Sequence, residues 1–119
     1  MTPLQREVFE AIDQRMTLWS RAAAEDLAGR AGGVEWGDAT QAACQLRQAL
    51  GTQLPPGVVR DVVYELFANL MHDVFVTLDG GSHEFRTLLV DGDTGSEIGI
   101  ANNEEFMAFV IAKRRGLRA

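Results

Sequence analysis

The sequence predicts an α+β domain dominated by helices: three helices, a β-hairpin, then a C-terminal helix. Three observations carry that prediction. Apolar residues recur at steps of three and four over most of the chain, residues suited to helix ends stand at the borders of those runs, and two β-prone stretches flank the turn-rich Asp91-Gly92-Asp93-Thr94-Gly95. With 119 residues, 46% hydrophobic and 24% charged, residues 1–119 read as a single globular domain, which excludes the disordered, collagen-like and coiled-coil classes.

The first helix opens on Thr2, Pro3 and Gln5, a hydroxyl cap, a proline at the first helical position and an amide three residues after the cap. Leu4, Val8, Ile12, Met16, Trp19, Ala23 and Leu27 then mark one apolar face, and the helix is expected to run to Gly29, with a break possible near Ser20. Ala31-Gly32-Gly33 is a loop, and Trp36 beyond it is expected to plug the core edge. Asp38 with Gln41 repeats the capping pattern for a short second helix carrying Ala39, Ala43, Leu46 and Leu50 and ended by Gly51. Cys44 on that helix is expected to be a buried or half-buried small hydrophobe, with only Arg47 nearby to activate a thiolate.

Pro55-Pro56-Gly57 separates the halves of the chain as an interhelix turn. The pairs Val58/Val59, Val62/Val63, Leu66/Phe67, Leu70/Met71 and Val74/Phe75, then Leu78, come at steps of four, so residues 58–78 are expected to form a central helix, apolar over most of its circumference. Its water-facing remainder would be a narrow polar stripe of Asp61, Glu65, Asn69, His72 and Asp79. The alternative ends this helix near residue 72 and makes residues 74–78 a third antiparallel strand turned by Asp79-Gly80-Gly81. Phe85–Val90 and Ser96–Ile100 are the hairpin strands, with Leu88, Val90, Ile98 or Ile100 resting on the helices. Asn102-Asn103 caps the final helix, which carries Phe106, Phe109 and Val110 and closes with Lys113, Arg114, Arg115 and Gly116.

The net charge is −6, and from Asp61 to Glu105 ten acids stand against Arg86 alone, a local −9. That balance disfavours a phosphate backbone as partner, so nucleic acid is not expected. The rival use of Lys113–Arg118 as a nucleic-acid tail competes with their role at a helix C-terminus. Ten of the eleven basic residues are arginine in an Ala- and Gly-rich chain, a usage associated with GC-rich bacterial genomes. The charged start at Arg6, Glu7 and Glu10 is unlike a signal peptide, and Cys44 is the sole cysteine, both suited to a cytoplasmic, reducing compartment.

Catalytic motifs are absent from the sequence: there is no Gly-x-Ser-x-Gly, no phosphate-cradling glycine loop and no dinucleotide fingerprint, and no cofactor is expected. Asp91–Glu97 begins as a calcium loop does, but Gly95, Ser96 and Asn102 stand where the oxygen ligand of position 5, the glycine of position 6 and the glutamate of position 12 belong, so a plain turn is expected. The weak metal candidates are Glu65, His72, Asp79 and His83, without the His-x-x-x-His or Glu-x-x-His spacing that makes ligands converge on a helix. They define the alternative function, a metal-dependent or small-molecule-binding enzyme around His72 and His83. The leading expectation is a non-catalytic interaction or regulatory module whose acidic stripe, Asp61, Glu65, Asn69, His72 and Asp79, meets a basic protein partner. A homodimer is a companion expectation, since the central helix has more apolar surface than its neighbours can cover.

Overall fold

The computed structural model describes residues 1–30, 32–51, 53–80 and 88–118, the side chains at 117 and 118 not among them. Among the described residues there are four α-helices, α1 (Pro3–Leu27), α2 (Thr40–Leu50), α3 (Pro56–Leu78) and α4 (Asn102–Arg118), and no strand. Among them, no helix is long and apolar enough to cross a membrane. The chain packs as two compact units: Met1–Gln14 with Ala68–Ala119, and Arg15–Phe67.

The α+β expectation is therefore corrected to an all-helical architecture. Of the expected hairpin, the described part is closed by one antiparallel bridge, Val90 to Glu97. Ile98 N–H donates to Leu89 O and Asp91 N–H to Ser96 O, each at 2.8 Å, and residues 85–87 of the expected first strand lie outside the described residues. On the far side of the turn the second stretch is held by the start of α1: Thr2 Oγ1 donates to Ile98 O at 2.6 Å and Gln5 Nε2 to Ile100 O at 3.0 Å. Of Leu88, Val90, Ile98 and Ile100, the candidates to rest on the helices, Ile98 is half-buried and the other three are exposed. The third-strand alternative also fails, because α3 continues unbroken to Leu78 and Gly80 then adopts φ +87°, a left-handed terminus that costs glycine little.

In the first unit the reciprocal cap expected at α1 is formed. Thr2 N–H donates to Gln5 Oε1 at 2.8 Å and Gln5 N–H to Thr2 Oγ1 at 3.0 Å. Gln5 does more than cap. It is buried, and its Nε2 also donates to Asn102 Oδ1 at 2.8 Å, tying the start of α1 to the start of α4. Asn102 Nδ2 donates onward to Gly99 O at 3.2 Å. A Cβ on Gly99 would lie 2.3 Å from Gln5 Cδ, so the backbone can pass this side chain only as glycine. Below this polar layer lie Phe9, Phe75, Phe106 and Phe109, with Phe9 centroids 5.4 to 5.8 Å from the other three rings. Along α1, Met16, Ala23 and Leu27 of the expected face are buried, with Ser20 and Ala24 beside them; Gln5 and Phe9 are buried one residue round from the expected Leu4 and Val8, and Trp19 is exposed. Ser20 does not break the helix; its Oγ donates to Thr17 O at 3.1 Å, inside the turn.

In the second unit, Asp26 near the end of α1 anchors both the loop beyond that helix and α2. It accepts from Trp36 Nε1 through Oδ2, its carbonyl accepts from Arg47 Nε at 2.9 Å, and Arg47 Nη2 lies 3.3 Å from Oδ2. Trp36 is half-buried through that bond. Asp38 does not cap α2: it sits in a 3₁₀ turn, Gly37–Ala39, that leads into Thr40 without a side-chain cap. Cys44, expected buried or half-buried, is exposed. At the other end of the chain α4 runs through Gly116 instead of stopping there.

Gly32 lies against α1 so closely that a Cβ would sit 2.1 Å from Ala22 O and 2.7 Å from Asp26 N. Both are helix backbone atoms that cannot yield cheaply. Gly32→Ala is expected to cost about 1 to 3 kcal/mol by overpacking, read as a lower urea midpoint with unchanged slope. An unchanged midpoint would show that the loop does not rest there.

Candidate functional site

Helix α3 carries the residues singled out for function, and its exposure differs from the expected thin polar seam. Only Ala68 and Phe75 are buried on it. They are seven residues apart, about 20° apart in projection, and define the covered line of the helix. On the far side, about 160° from Ala68 in projection, Leu66 and Leu70 are 62% and 59% exposed. Val62 at 56%, Val58 at 47% and Val74 at 37% complete a ridge at four-residue steps, most exposed at its middle. The helix is therefore not wrapped all round: one apolar face of it looks into water.

The polar residues lie beside this ridge. Asp61, Glu65, Asn69 and Asp73 each precede a ridge residue by one position and so form a second row along one flank. Asp61 and Asp73 project well into solvent, with side chains 74% and 82% exposed, and Asn69 is exposed. Asp61 Oδ1 accepts from the neighbouring Arg60 at 3.2 Å. Glu65 is half-buried. His72 is half-buried with Nδ1 3.7 Å from Asp73 Oδ1. The opposite flank, Val59, Val63, Phe67 and Met71, is apolar and half-buried.

Asp79 does not belong to this row. It comes directly after the last residue of α3, and its Oδ2 accepts from Asn103 N–H at 2.9 Å while Oδ1 is 3.5 Å from Asn102 Nδ2. A carboxylate at the first turn of α4 satisfies an N–H that the helix itself leaves open and meets the positive end of its dipole. Asp79 is a capping residue supplied from outside the helix, which no local pattern in the sequence announces.

The metal constellation is not assembled among the described residues: no group of three or more His, Cys, Asp or Glu side chains converges there. His83 lies outside them. Lys113, one of the basic residues near the C-terminus, holds Glu10 at 2.9 Å and stands 5.4 Å from the Phe109 ring centroid.

The Asp91–Glu97 loop is an Asx turn. Asp91 Oδ1 accepts from Asp93 N–H at 2.8 Å and Thr94 N–H at 3.0 Å, and these bonds, that from Thr94 foremost, hold the carboxyl below its ordinary range. A folded-state pKa lowered in this way means that the turn is fully supported above the unfolded carboxylate pKa and loses that support as pH falls through the folded value. The protection of the Asp93 and Thr94 amides relative to their intrinsic exchange rate is expected to fall over that acid window, and Asp91→Ala to remove it at every pH. Protection that survives acidification would remove the carboxylate from the account.

Compared with family models, with curated proteins and with solved structures, the chain finds no match in any of the three.

Proposed function

We propose that this protein is a non-catalytic docking module that binds a protein partner through the exposed face of α3. The observation that carries the reading is the ridge Val58–Val62–Leu66–Leu70–Val74, 37% to 62% exposed, with carboxylates along one flank. Scattered exposed apolar residues need no explanation, but five in register on one helix face form a contiguous strip of the kind that marks an interaction surface. The acidic flank directs the choice of partner, since a basic surface approaching it gains in encounter rate and orientation and is screened by salt.

The test is Leu66→Asp. The side chain is mostly in water already, so the fold is expected to survive, as circular dichroism checks. A central interface anchor contributes about 2 kcal/mol, roughly thirtyfold in Kd. Protein bound from an extract of its own cells is therefore expected to be retained by the wild-type chain and lost from Leu66→Asp. Retention of the same proteins by both would overturn the reading.

A further inference from the structure

Resting on the docking face just described, we infer that its occupant is a single amphipathic helix with apolar residues at four-residue steps and Lys or Arg along one flank, and not a second copy of this chain. The ridge of α3 is an i to i+4 row. Such rows interdigitate with like rows on another helix, with a crossing near −50°. Helices crossing at that angle diverge within a few turns, so contact concentrates on the centre of the row. Exposure runs along the same gradient, from 62% at Leu66 to 47% at Val58 and 37% at Val74. Val62, Leu66 and Leu70 are the anchors; Val58 and Val74 lie at the margin.

Charge then chooses between occupants. In an antiparallel pair of α3 helices centred on Leu66, the two-fold axis keeps the acidic flank of each copy on the same side and brings Glu65 alongside its own symmetry mate. A parallel pair sets this acidic flank of each copy against the Val59–Val63–Phe67 flank of the other, where Asp73, 82% exposed, loses water and gains no cation and Asp61 keeps only its own Arg60. Either arrangement opposes its own apolar gain. A helix with basic residues on the facing flank satisfies the row in one orientation, and a chain of net charge −6 adds long-range attraction.

The experiment uses the full chain and three synthetic 18-residue peptides: one with Leu at four-residue steps flanked by Lys, one with the same Leu positions flanked by Glu, and a scrambled form of the first. Fluorescence anisotropy is expected to show the Lys peptide binding on the order of tenfold or more tighter than the other two at 50 mM salt, with the margin over the Glu peptide collapsing at 500 mM. Asp61→Asn with Glu65→Gln and Asp73→Asn should erase that margin. Leu66→Asp should abolish binding, and Val58→Asp should weaken it only a fewfold. Equal binding of the Lys and Glu peptides, with loss on Leu66→Asp, overturns the basic helix and leaves the docking face standing. A concentration-dependent dimer abolished by Leu66→Asp overturns it in favour of a second copy. Binding indifferent to Leu66→Asp, or no binding by a chain that stays monomeric, overturns both readings.

Discussion

Phe9→Ala is expected to lower stability by about 3 to 5 kcal/mol, a large share of the roughly 5 to 15 kcal/mol that holds a domain together. Phe9 is fully buried and is the ring that three others share: Phe75 and Phe106 meet it edge to face at 5.6 and 5.4 Å, and Phe109 at 5.8 Å. Truncation removes the transfer energy of one phenyl ring and leaves a cavity whose walls are themselves rings. Planar side chains on neighbouring helices cannot collapse together without moving those helices, so little of the loss is recovered by relaxation. Phe9→Leu should restore much of it, because most of the volume returns while the edge-to-face contacts, about 0.5 to 1.5 kcal/mol each, do not. Urea unfolding followed by circular dichroism measures both variants. A loss under about 1 kcal/mol for alanine, well below the range for a buried aromatic, would show that the cluster is not the core of the Met1–Gln14 and Ala68–Ala119 unit.

The same helix shows how far its sequence could be read. The Thr2–Pro3–Gln5 signature is local, and the structure forms the cap. The buried face was less accessible, because Leu4, Val8 and Ile12 advertise one line while Gln5 and Phe9, one position round, occupy the inside. A glutamine reads as solvent-facing until its partners are known. In α3 the ambiguity is geometric: apolar pairs at steps of four present two adjacent ridges, and nothing in them says which is covered. The choice is made by Ala68, whose small side chain sits fully buried where the helix is covered, leaving Val62, Leu66 and Leu70 outside. Nor does any window of sequence contain the partners of the second hairpin stretch, since Thr2 and Gln5 donate to the carbonyls of Ile98 and Ile100 from more than ninety residues away. Of the proposed stripe, Asp61, Glu65 and Asn69 keep the step of four on α3, His72 comes one position early and is half-buried where Asp73 holds the row, and Asp79 is drawn off to the start of α4 by a partner in another helix.

The second large effect is expected at Gln5, where Gln5→Leu should cost about 2 to 4 kcal/mol despite adding apolar surface to a buried position. Leucine matches the volume closely but cannot donate to Ile100 O or Asn102 Oδ1, nor accept from Thr2 N–H. Asn102 Oδ1, buried, is left without a donor at a desolvation penalty of about 1 to 3 kcal/mol, and the part-buried bonds to Ile100 O and from Thr2 N–H are lost with it. Gln5→Glu tests whether polarity alone suffices: one carboxylate oxygen can still accept from Thr2, but the other would face Ile100 O and Asn102 Oδ1, acceptor against acceptor, so no rescue is expected. The loss should also be local before it is global. Asn102 is held by Gln5 at 2.8 Å and Asn103 by Asp79 at 2.9 Å, so the first turn of α4 should lose amide protection ahead of Phe106 and Phe109. Asn102→Leu combined with Gln5→Leu removes donor and acceptor together, and its cost should fall short of the sum of the two single changes, as coupled neighbours require. Strict additivity would mean that the two side chains act independently, and the polar layer would then be two unrelated caps instead of one joint between the helix starts.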